Sequence, residues 1–161
     1  MTDGATATDA SFRDADPARD RPLRLRALDA EDLRVVAALV QDAVAPLPEM
    51  AFLKRHRRFA ALVNRFRWEA GTRTPERVRA MLVVENATAV RSQGVPRDDP
   101  DLVLSILDAT WEGDPDGPGR VVLTLAGDGL IAVEVEALEV TLTDVTRPYL
   151  APSRRPPEHP E

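Results

Sequence analysis

Apolar residues recur at every second position in segment after segment of this chain. The alternation runs through EMAFL, RFAALVNRFRW, VRAMLVVE, RVVLTLAGDGLIAVEVE and ALEVTLTDV. A period of two is typical of β-strands that bury one face and leave the other in water. Turn-like segments separate these strands, which favours antiparallel pairing. The pattern therefore restricts the chain to folds built around an antiparallel sheet.

One segment near the N-terminus breaks the alternation and predicts a helix. DAEDLRVVAALVQDAVAP follows the alternating strand LRLRAL, with Asp29 as a candidate N-cap and Pro46 just past the end. Acidic residues in the first turn lie near the positive end of the helix dipole. The apolar stripe on one face consists of Leu33, Val36, Ala37, Val40 and Val44. We expect an amphipathic helix from about Ala30 to Val44 that packs by this face.

Short segments between the predicted strands indicate how the chain turns. KRHR joins EMAFL to RFAALVNRFRW as a hairpin, Asn86 separates two further strands, and GDG marks another hairpin. LVLSILDATW is a long strand, while Thr74-Pro75-Glu76 leaves a short helix open as an alternative. The apolar parity of the last two strands differs by one residue, which predicts a bulge or bend near Ala137.

Composition divides the chain into three parts. Residues 1–21 show no apolar periodicity and predict a disordered lead, and residues 147–161 form a proline-rich tail that we expect to be flexible. Residues 22–146 form a single domain. We predict an α+β fold in which the N-terminal helix packs on a mostly antiparallel roll or partly open barrel, with a PH-like roll as one form.

Charge is distributed unevenly along the chain. Residues 51–97 hold eleven basic and three acidic residues, so that span carries +8 and the remainder −14 of the net −6. Overall acidity opposes indiscriminate binding to polyanions, but a local basic face attracts an anionic partner. No apolar run approaches the roughly 20 residues of a membrane-spanning helix. With no secretory signal and no cysteine, we expect a cytoplasmic protein.

The arginines of RRFAALVNRFRW allow two interpretations. Either the apolar face of this strand switches at about Asn64, or its first half is buried on both sides. If the face switches, Arg65 and Arg67 leave the core on the surface opposite Phe66 and Trp68. They then either pair with nearby acids on a solvated face, which we favour, or contact an anionic partner. Sheets that read RNA present aromatic and basic side chains together, so the opposite parity here disfavours nucleic acid.

No catalytic, cofactor-binding or metal-binding residue is predicted. The only histidines are His56 and His159, which leaves little for metal binding or proton transfer near neutral pH. EGDPDGPG begins like a calcium loop, but Leu123 stands where such a loop requires a bidentate glutamate. An enzyme would have to rely on arginines and carboxylates, and we favour a non-enzymatic role.

The order of several segments resembles an uncharacterised bacterial family that is catalogued as a domain of unknown function. EDLRVVAALVQDAV, FLKRHRRFAALVNRFRWE, ERVRAMLVVENATAVRSQGV, LVLSILDATWE and IAVEVEALEVTLTDV carry the resemblance from about Leu23 to the tail. Members of that family end in W-x-T and a basic RPxH, where this chain has Tyr149 and RRPPEHP. The resemblance implies a gene that often lies beside one for histidinol dehydrogenase. It implies no site residues.

Two hypotheses for function remain, and neither identifies the biological role or the oligomeric state. The first is a binding or regulatory module whose basic face engages an acidic protein partner. The second is a domain that binds a small molecule or anion, with or without catalysis, in a pocket between helix and sheet. The candidate residues of the basic face are Lys54, Arg55, His56, Arg57, Arg58, Arg65 and Arg67.

Overall fold

The computed structural model describes residues 21–71, 73, 75–151 and 157. Within these residues the fold consists of one α-helix, eleven β-strands and three short 3₁₀ turns. The helix is α1 (Ala30–Leu39). The strands are β1 (Arg24–Ala27), β2 (Val44–Pro46), β3 (Met50–Leu53), β4 (Arg58–Phe66), β5 (Glu76–Glu85), β6 (Ala87–Gln93), β7 (Val103–Gly113), β8 (Gly119–Leu125), β9 (Leu130–Val135), β10 (Val140–Asp144) and β11 (Tyr149–Leu150).

All of these strands belong to one antiparallel sheet with the order β1-β10-β5-β4-β2-β7-β8-β9-β6, in which β3 also pairs with β4 and β11 with β5. The end strands β1 and β6 do not pair with each other in the described part of the chain. The sheet is therefore a roll that stops short of a closed barrel, and the α+β prediction is confirmed.

The core lies inside this roll. Inward residues of β4, β5 and β10, such as Val63, Leu82 and Leu142, share one apolar cluster with inward residues of β8 and β9. The buried stripe of α1 belongs to the same cluster. This helix lies against β7 and against β1, which is an end strand of the sheet.

The helix begins where the sequence predicts and ends five residues earlier. Asp29 is extended and its side chain accepts a hydrogen bond of 2.8 Å from the backbone nitrogen of Asp32, as an N-cap does. The helix ends at Leu39, and Val44 starts β2. Val40 caps the helix and is buried, but Val44 is only half-buried, and its neighbour Ala45 is the residue of β2 that faces the core. The apolar spacing at Val44 therefore does not reflect a helix.

Two short strands lie where the sequence predicts none. β2 inserts between β4 and β7, and β11 pairs with the start of β5 through Tyr149 opposite Arg77. The described chain continues past residue 146 to Ala151, while the predicted lead and most of the predicted tail lie outside the described residues. Glu76 opens β5, so the alternative of a short helix at Pro75 is wrong.

The other predicted turns are confirmed. β3 and β4 form a hairpin through a 3₁₀ turn at Lys54–His56, and β8 and β9 form a hairpin around Gly127. The chain bends between β9 and β10, at Glu136 and Ala137. Each strand therefore buries its own alternating apolar residues, although the two sets are out of step by one position. No described helix is long and apolar enough to cross a membrane.

Candidate functional site

Five consecutive basic residues form an exposed turn between β3 and β4, which we call the basic turn. All five are exposed to solvent: Lys54, Arg55, His56, Arg57 and Arg58. The first three form the 3₁₀ turn, Arg57 ends it and Arg58 opens β4. The predicted exposure of these five candidates is therefore correct. Their role in binding stays a prediction.

Backbone hydrogen bonds hold the basic turn against two neighbouring turns. Arg57 has a left-handed backbone with φ of 55°, and its carbonyl accepts a 2.8 Å hydrogen bond from the nitrogen of Ala87. Asn86 is also left-handed, with φ of 59°, and its carbonyl accepts a bond from Glu136. Asparagine adopts this conformation readily, whereas arginine seldom does unless its surroundings impose it. The basic turn therefore has a defined shape before any partner arrives.

Acidic residues neutralise part of the charge of the basic turn. Arg58 forms an ion pair of 2.8 Å with Glu85, and Arg57 forms one with Glu136. Lys54, Arg55 and His56 form no ion pair with any residue that the structure describes. Uncompensated positive charge is thus concentrated at the tip of the turn.

Arg65 and Arg67 are buried, so the prediction that they leave the core is wrong. Their exposed fractions are 0% and 2%. The face of β4 does not switch at Asn64, because Arg65 continues the inward parity of Val63. These two candidates of the predicted basic face are therefore separated from the basic turn.

A fully used guanidinium explains how Arg65 can be buried. Its Nε and Nη2 donate to the two carboxylate oxygens of Asp144 at 3.0 Å each, and its Nη1 and Nη2 donate to Glu69 at 2.9 and 2.7 Å. Nη1 also donates to the carbonyl of Phe66 at 3.4 Å. Arginine has five N–H donors, and this arrangement gives each of them an acceptor. We call Arg65, Glu69 and Asp144 the buried ion cluster, after its buried members Arg65 and Asp144; the side chain of Glu69 is 32% exposed.

Burial and pairing act in opposite directions on the pKa values of Arg65 and Glu69. Burial alone would lower the pKa of Arg65, but hydrogen bonds and charge interactions with Glu69 and Asp144 outweigh it and raise the pKa. Burial would likewise raise the pKa of Glu69, and the hydrogen bond from Arg65 lowers it instead. Both groups are therefore held in their charged forms.

Arg67 pairs with an acid of β5, and Trp68 contacts the chain just after the helix. Arg67 Nη1 lies 2.6 Å from a carboxylate oxygen of Glu76. The rings of Phe66 and Trp68 lie 4.7 Å apart between centroids, and Trp68 Nε1 donates to the carbonyl of Gln41 at 3.0 Å. Gln41 follows the end of α1. Residues Arg65–Trp68 therefore stabilise the fold and present no basic face to solvent.

A groove lies between α1 and β7, where the sequence analysis places a pocket. Its volume is about 590 Å³. The helix contributes the small side chains of Ala37 and Ala38 and the charge of Arg34, and β7 contributes Asp108 and Trp111. The register of β7 against β8 shifts between Ile106 and Asp108, a bulge that re-aims the side chains on this wall. We call this space the helix groove.

A second cavity, of about 300 Å³, lies between β3 and β6. Of the ten described residues that line it, eight are apolar and Arg97 alone is charged. We call it the β3–β6 slot. No pattern in the sequence indicates this slot, because its walls come from strands that are not neighbours along the chain.

The described residues contain no group of three or more histidine, cysteine or acidic side chains placed to hold a metal ion. The acids Glu112, Asp114 and Asp116 lie exposed around the β7–β8 turn, and His159 lies outside the described residues.

Comparison with known proteins gives a family and no activity. The family described as "Protein of unknown function (DUF2948)" matches residues 23–159. The chain belongs to that family. No curated protein and no solved structure matches. For this DUF2948 member, the match begins one residue before β1 and includes every described strand, so the roll and its helix are the family's domain.

Proposed function

We propose that this DUF2948 protein is a non-enzymatic binding or regulatory module whose basic turn engages an acidic segment of a partner protein. The observation that carries the proposal is the run of five exposed basic residues on one turn, Lys54–Arg58. The three at its tip, Lys54, Arg55 and His56, have no acid partner among described residues. Complementary charge guides association and selects partners more than it adds raw affinity.

The shape of the basic turn supports the same conclusion. The left-handed backbone of Arg57 and the bond from Ala87 to its carbonyl fix the turn in the free protein. A surface that is already ordered loses less conformational entropy on binding. The cysteine-free composition is consistent with a cytoplasmic setting for this interaction, which we include in the proposal.

Salt-dependent capture from native lysate tests the proposal. The test variant is Lys54→Glu with Arg55→Glu, and the matched control is Arg24→Glu with Arg79→Glu. The control changes the same charge at two exposed arginines on β1 and β5 that form no ion pair with a described residue. We expect wild type and control to retain the same partner at low salt and to release it as salt rises, because exposed charges are screened within about 10 Å at 0.1 M.

The test variant should lose that partner while its thermal unfolding stays that of wild type. Equal recovery of the same proteins by the test variant and wild type would contradict the proposal. So would loss of the partner by the control alone.

The helix groove favours a second candidate function, the binding of a small molecule. Its volume of about 590 Å³ lies within the range of ligand pockets, and it combines apolar walls with the opposite charges of Arg34 and Asp108. Such a site suits a ligand that carries both a cationic and an anionic group beside an apolar body. The helix groove lies between helix and sheet, where the sequence analysis expects a pocket for this function.

A thermal-shift screen of zwitterionic metabolites tests this second function. A ligand at a hundredfold excess over its dissociation constant stabilises the folded state by about 2.7 kcal/mol. Ala38→Trp should abolish the shift because Ala38 lines the helix groove, whereas Val35→Trp, on the exposed side of the same helix, should retain it. A screen without shifts, or shifts that survive Ala38→Trp, would count against this function.

A further inference from the structure

The β3–β6 slot has a floor of buried apolar side chains. Phe59 and Ile131 are 3% and 4% exposed, and half-buried Met50, Phe52 and Val90 stand around them. A cavity of this volume with mostly apolar walls is the usual form of a site for a small ligand. Apolar surface that is only partly covered gains free energy when a ligand removes it from water.

The topology of the sheet keeps this space open. β3 pairs only with β4, and β6 pairs only with β9, within the ranges that the structure describes. Two strand edges therefore face the slot without a further strand to fill it. Mouths of barrel-like sheets bind ligands for the same reason, since the curvature leaves a concave space that side chains do not fill.

Arg97 gives the slot a single charge. It is exposed in the segment between β6 and β7, and it forms no ion pair or hydrogen bond with any residue described here. No acid in the part of the chain that the structure describes lines the slot, although Asp98 and Asp99 follow Arg97 along the chain. Ser92, a hydroxyl that can donate or accept, is the other polar lining residue. The lining therefore favours an anion over a cation.

We propose that the β3–β6 slot binds a small carboxylic acid with an apolar body, either a medium-length alkyl chain or a single aromatic ring. The apolar body lies between β3 and β6 against Phe59 and Ile131, and the carboxylate accepts hydrogen bonds from Arg97, whose planar fork matches two carboxylate oxygens. The site does not depend on the basic turn, because none of the residues Lys54–Arg58 lines it.

Amide chemical shifts of the full chain, titrated with sodium octanoate, test the proposal. Octan-1-ol supplies the same apolar chain without the charge, and sodium acetate supplies the charge without the chain. We expect octanoate to shift the amides of Ala51, Val90 and Ser92 in a saturable way, octanol to bind more weakly at the same place, and acetate to have no effect. Failure of octanoate to shift these amides, or shifts that map to the helix groove instead, would overturn the proposal.

Matched variants separate the effect of the charge of Arg97 from the effect of the shape of the slot. Arg97→Gln should weaken octanoate about tenfold, as loss of a charged hydrogen bond does, and leave octanol unchanged. Arg91→Gln is the control, since Arg91 is an exposed arginine of β6 that pairs with Glu134 and does not line the slot. Equal affinity of octanoate for wild type and Arg97→Gln would contradict the assigned role of Arg97.

Two further variants test the position of the ligand. Val95→Trp fills the slot and should abolish binding of both octanoate and octanol. Ser92→Asp adds a like charge with little bulk, and should weaken octanoate alone, with an amide spectrum otherwise like that of wild type. Octanoate binding that survives both changes would place the ligand elsewhere on the protein.

Discussion

Arg65 and Arg58 are arginines of the same strand in opposite environments. Arg65 is 0% exposed and belongs to the buried ion cluster, whereas the side chain of Arg58 is 50% exposed and pairs with Glu85 on the neighbouring strand. Solvent screens an exposed pair, and its two long side chains lose entropy when they meet. Removal of one member of a buried pair leaves a charge without compensation in the interior.

Truncation should therefore have very different effects at these two positions. We expect Arg65→Ala to lower the free energy of unfolding by about 3–5 kcal/mol, and Arg58→Ala to lower it by at most about 1 kcal/mol. Urea denaturation across the whole unfolding transition measures both free energies. If the dependence of the free energy on urea concentration is unchanged, only stability has changed. Similar losses in the two variants would mean that the buried ion cluster contributes no more than a surface pair.

Glu69 links the stability of the fold to pH. Its pKa is lowered in the folded state from an ordinary value of 4.5, chiefly because the hydrogen bond from Arg65 outweighs the effect of burial. The contribution of ionised Glu69 to the free energy of unfolding is therefore complete above about pH 4.5. It is lost as the pH falls through the lower pKa of the folded state. We expect the stability difference between wild type and Glu69→Gln to shrink over that acid range.

Denaturant unfolding at a series of pH values measures this difference. Glu49→Gln is the control, because Glu49 is exposed and forms no ion pair with another described residue. A difference that stays constant below pH 4.5 would show that ionised Glu69 does not stabilise the fold.

The burial of Arg65 depends on a distant contact that the sequence does not reveal. The exposure of Lys54–Arg58 was predictable because the strands around them alternate clearly. The predicted switch of the apolar face at about Asn64 places Arg65 on the surface, whereas its burial requires partners for its charge. One partner, Glu69, is four residues away, but Asp144 lies 79 residues away along the chain. Only the pairing of β10 with β5 beside β4 brings that carboxylate near.

At the scale of elements, the start of α1 depends on one side chain. Asp29 accepts the hydrogen bond of the Asp32 nitrogen at 2.8 Å. We expect Asp29→Ala to lower the free energy of unfolding by about 1 kcal/mol, and Asp29→Asn to be nearly neutral because asparagine caps equally well. Thermal unfolding of the two variants against wild type measures this. A loss in Asp29→Asn as large as that in Asp29→Ala would point to the charge of Asp29 and not to the cap.

Elements with local causes were predictable, and elements with distant causes were not. The helix start, the hairpins and the bend near Ala137 follow from capping, turn chemistry and parity within a few residues. β2 is three residues long and contains a proline, and β11 is two residues long in a proline-rich segment. Neither shows alternation, and each is a strand only because the neighbouring strand supplies hydrogen bonds.

At the scale of the molecule, two kinds of pairing build the roll. β7, β8 and β9 are consecutive in the chain and pair in that order, whereas β10 pairs with β1 and β5, whose central partners Leu25 and Leu82 lie far from Leu142 in sequence. Closing long loops costs entropy before any contact compensates for it. The meander β7–β9 should therefore form before β10 is in place.

Matched core truncations test that order. Leu123 in β8 and Leu142 in β10 are 1% and 0% exposed, so each Leu→Ala change should cost about 2–5 kcal/mol. We expect Leu123→Ala mainly to slow folding and Leu142→Ala mainly to speed unfolding. Stopped-flow measurements over a range of denaturant separate the two rates. The reverse assignment would mean that the long-range pairing nucleates the fold.

The candidate sites also divide into those with local causes in the sequence and those with distant causes. The basic turn is a continuous stretch of sequence, and the helix groove follows from one amphipathic helix on a sheet, so both could be predicted. The β3–β6 slot could not, because its walls and Arg97 meet only through the curvature of the sheet.

The two tryptophans of the chain both lie next to the helix. Trp68 donates to the carbonyl of Gln41, just after α1, and Trp111 lines the helix groove. Intrinsic fluorescence of this protein is therefore an optical report on whether α1 is docked, while far-ultraviolet circular dichroism is dominated by the strands. An emission change without a matching change in dichroism would identify a state in which the helix has detached from an intact roll.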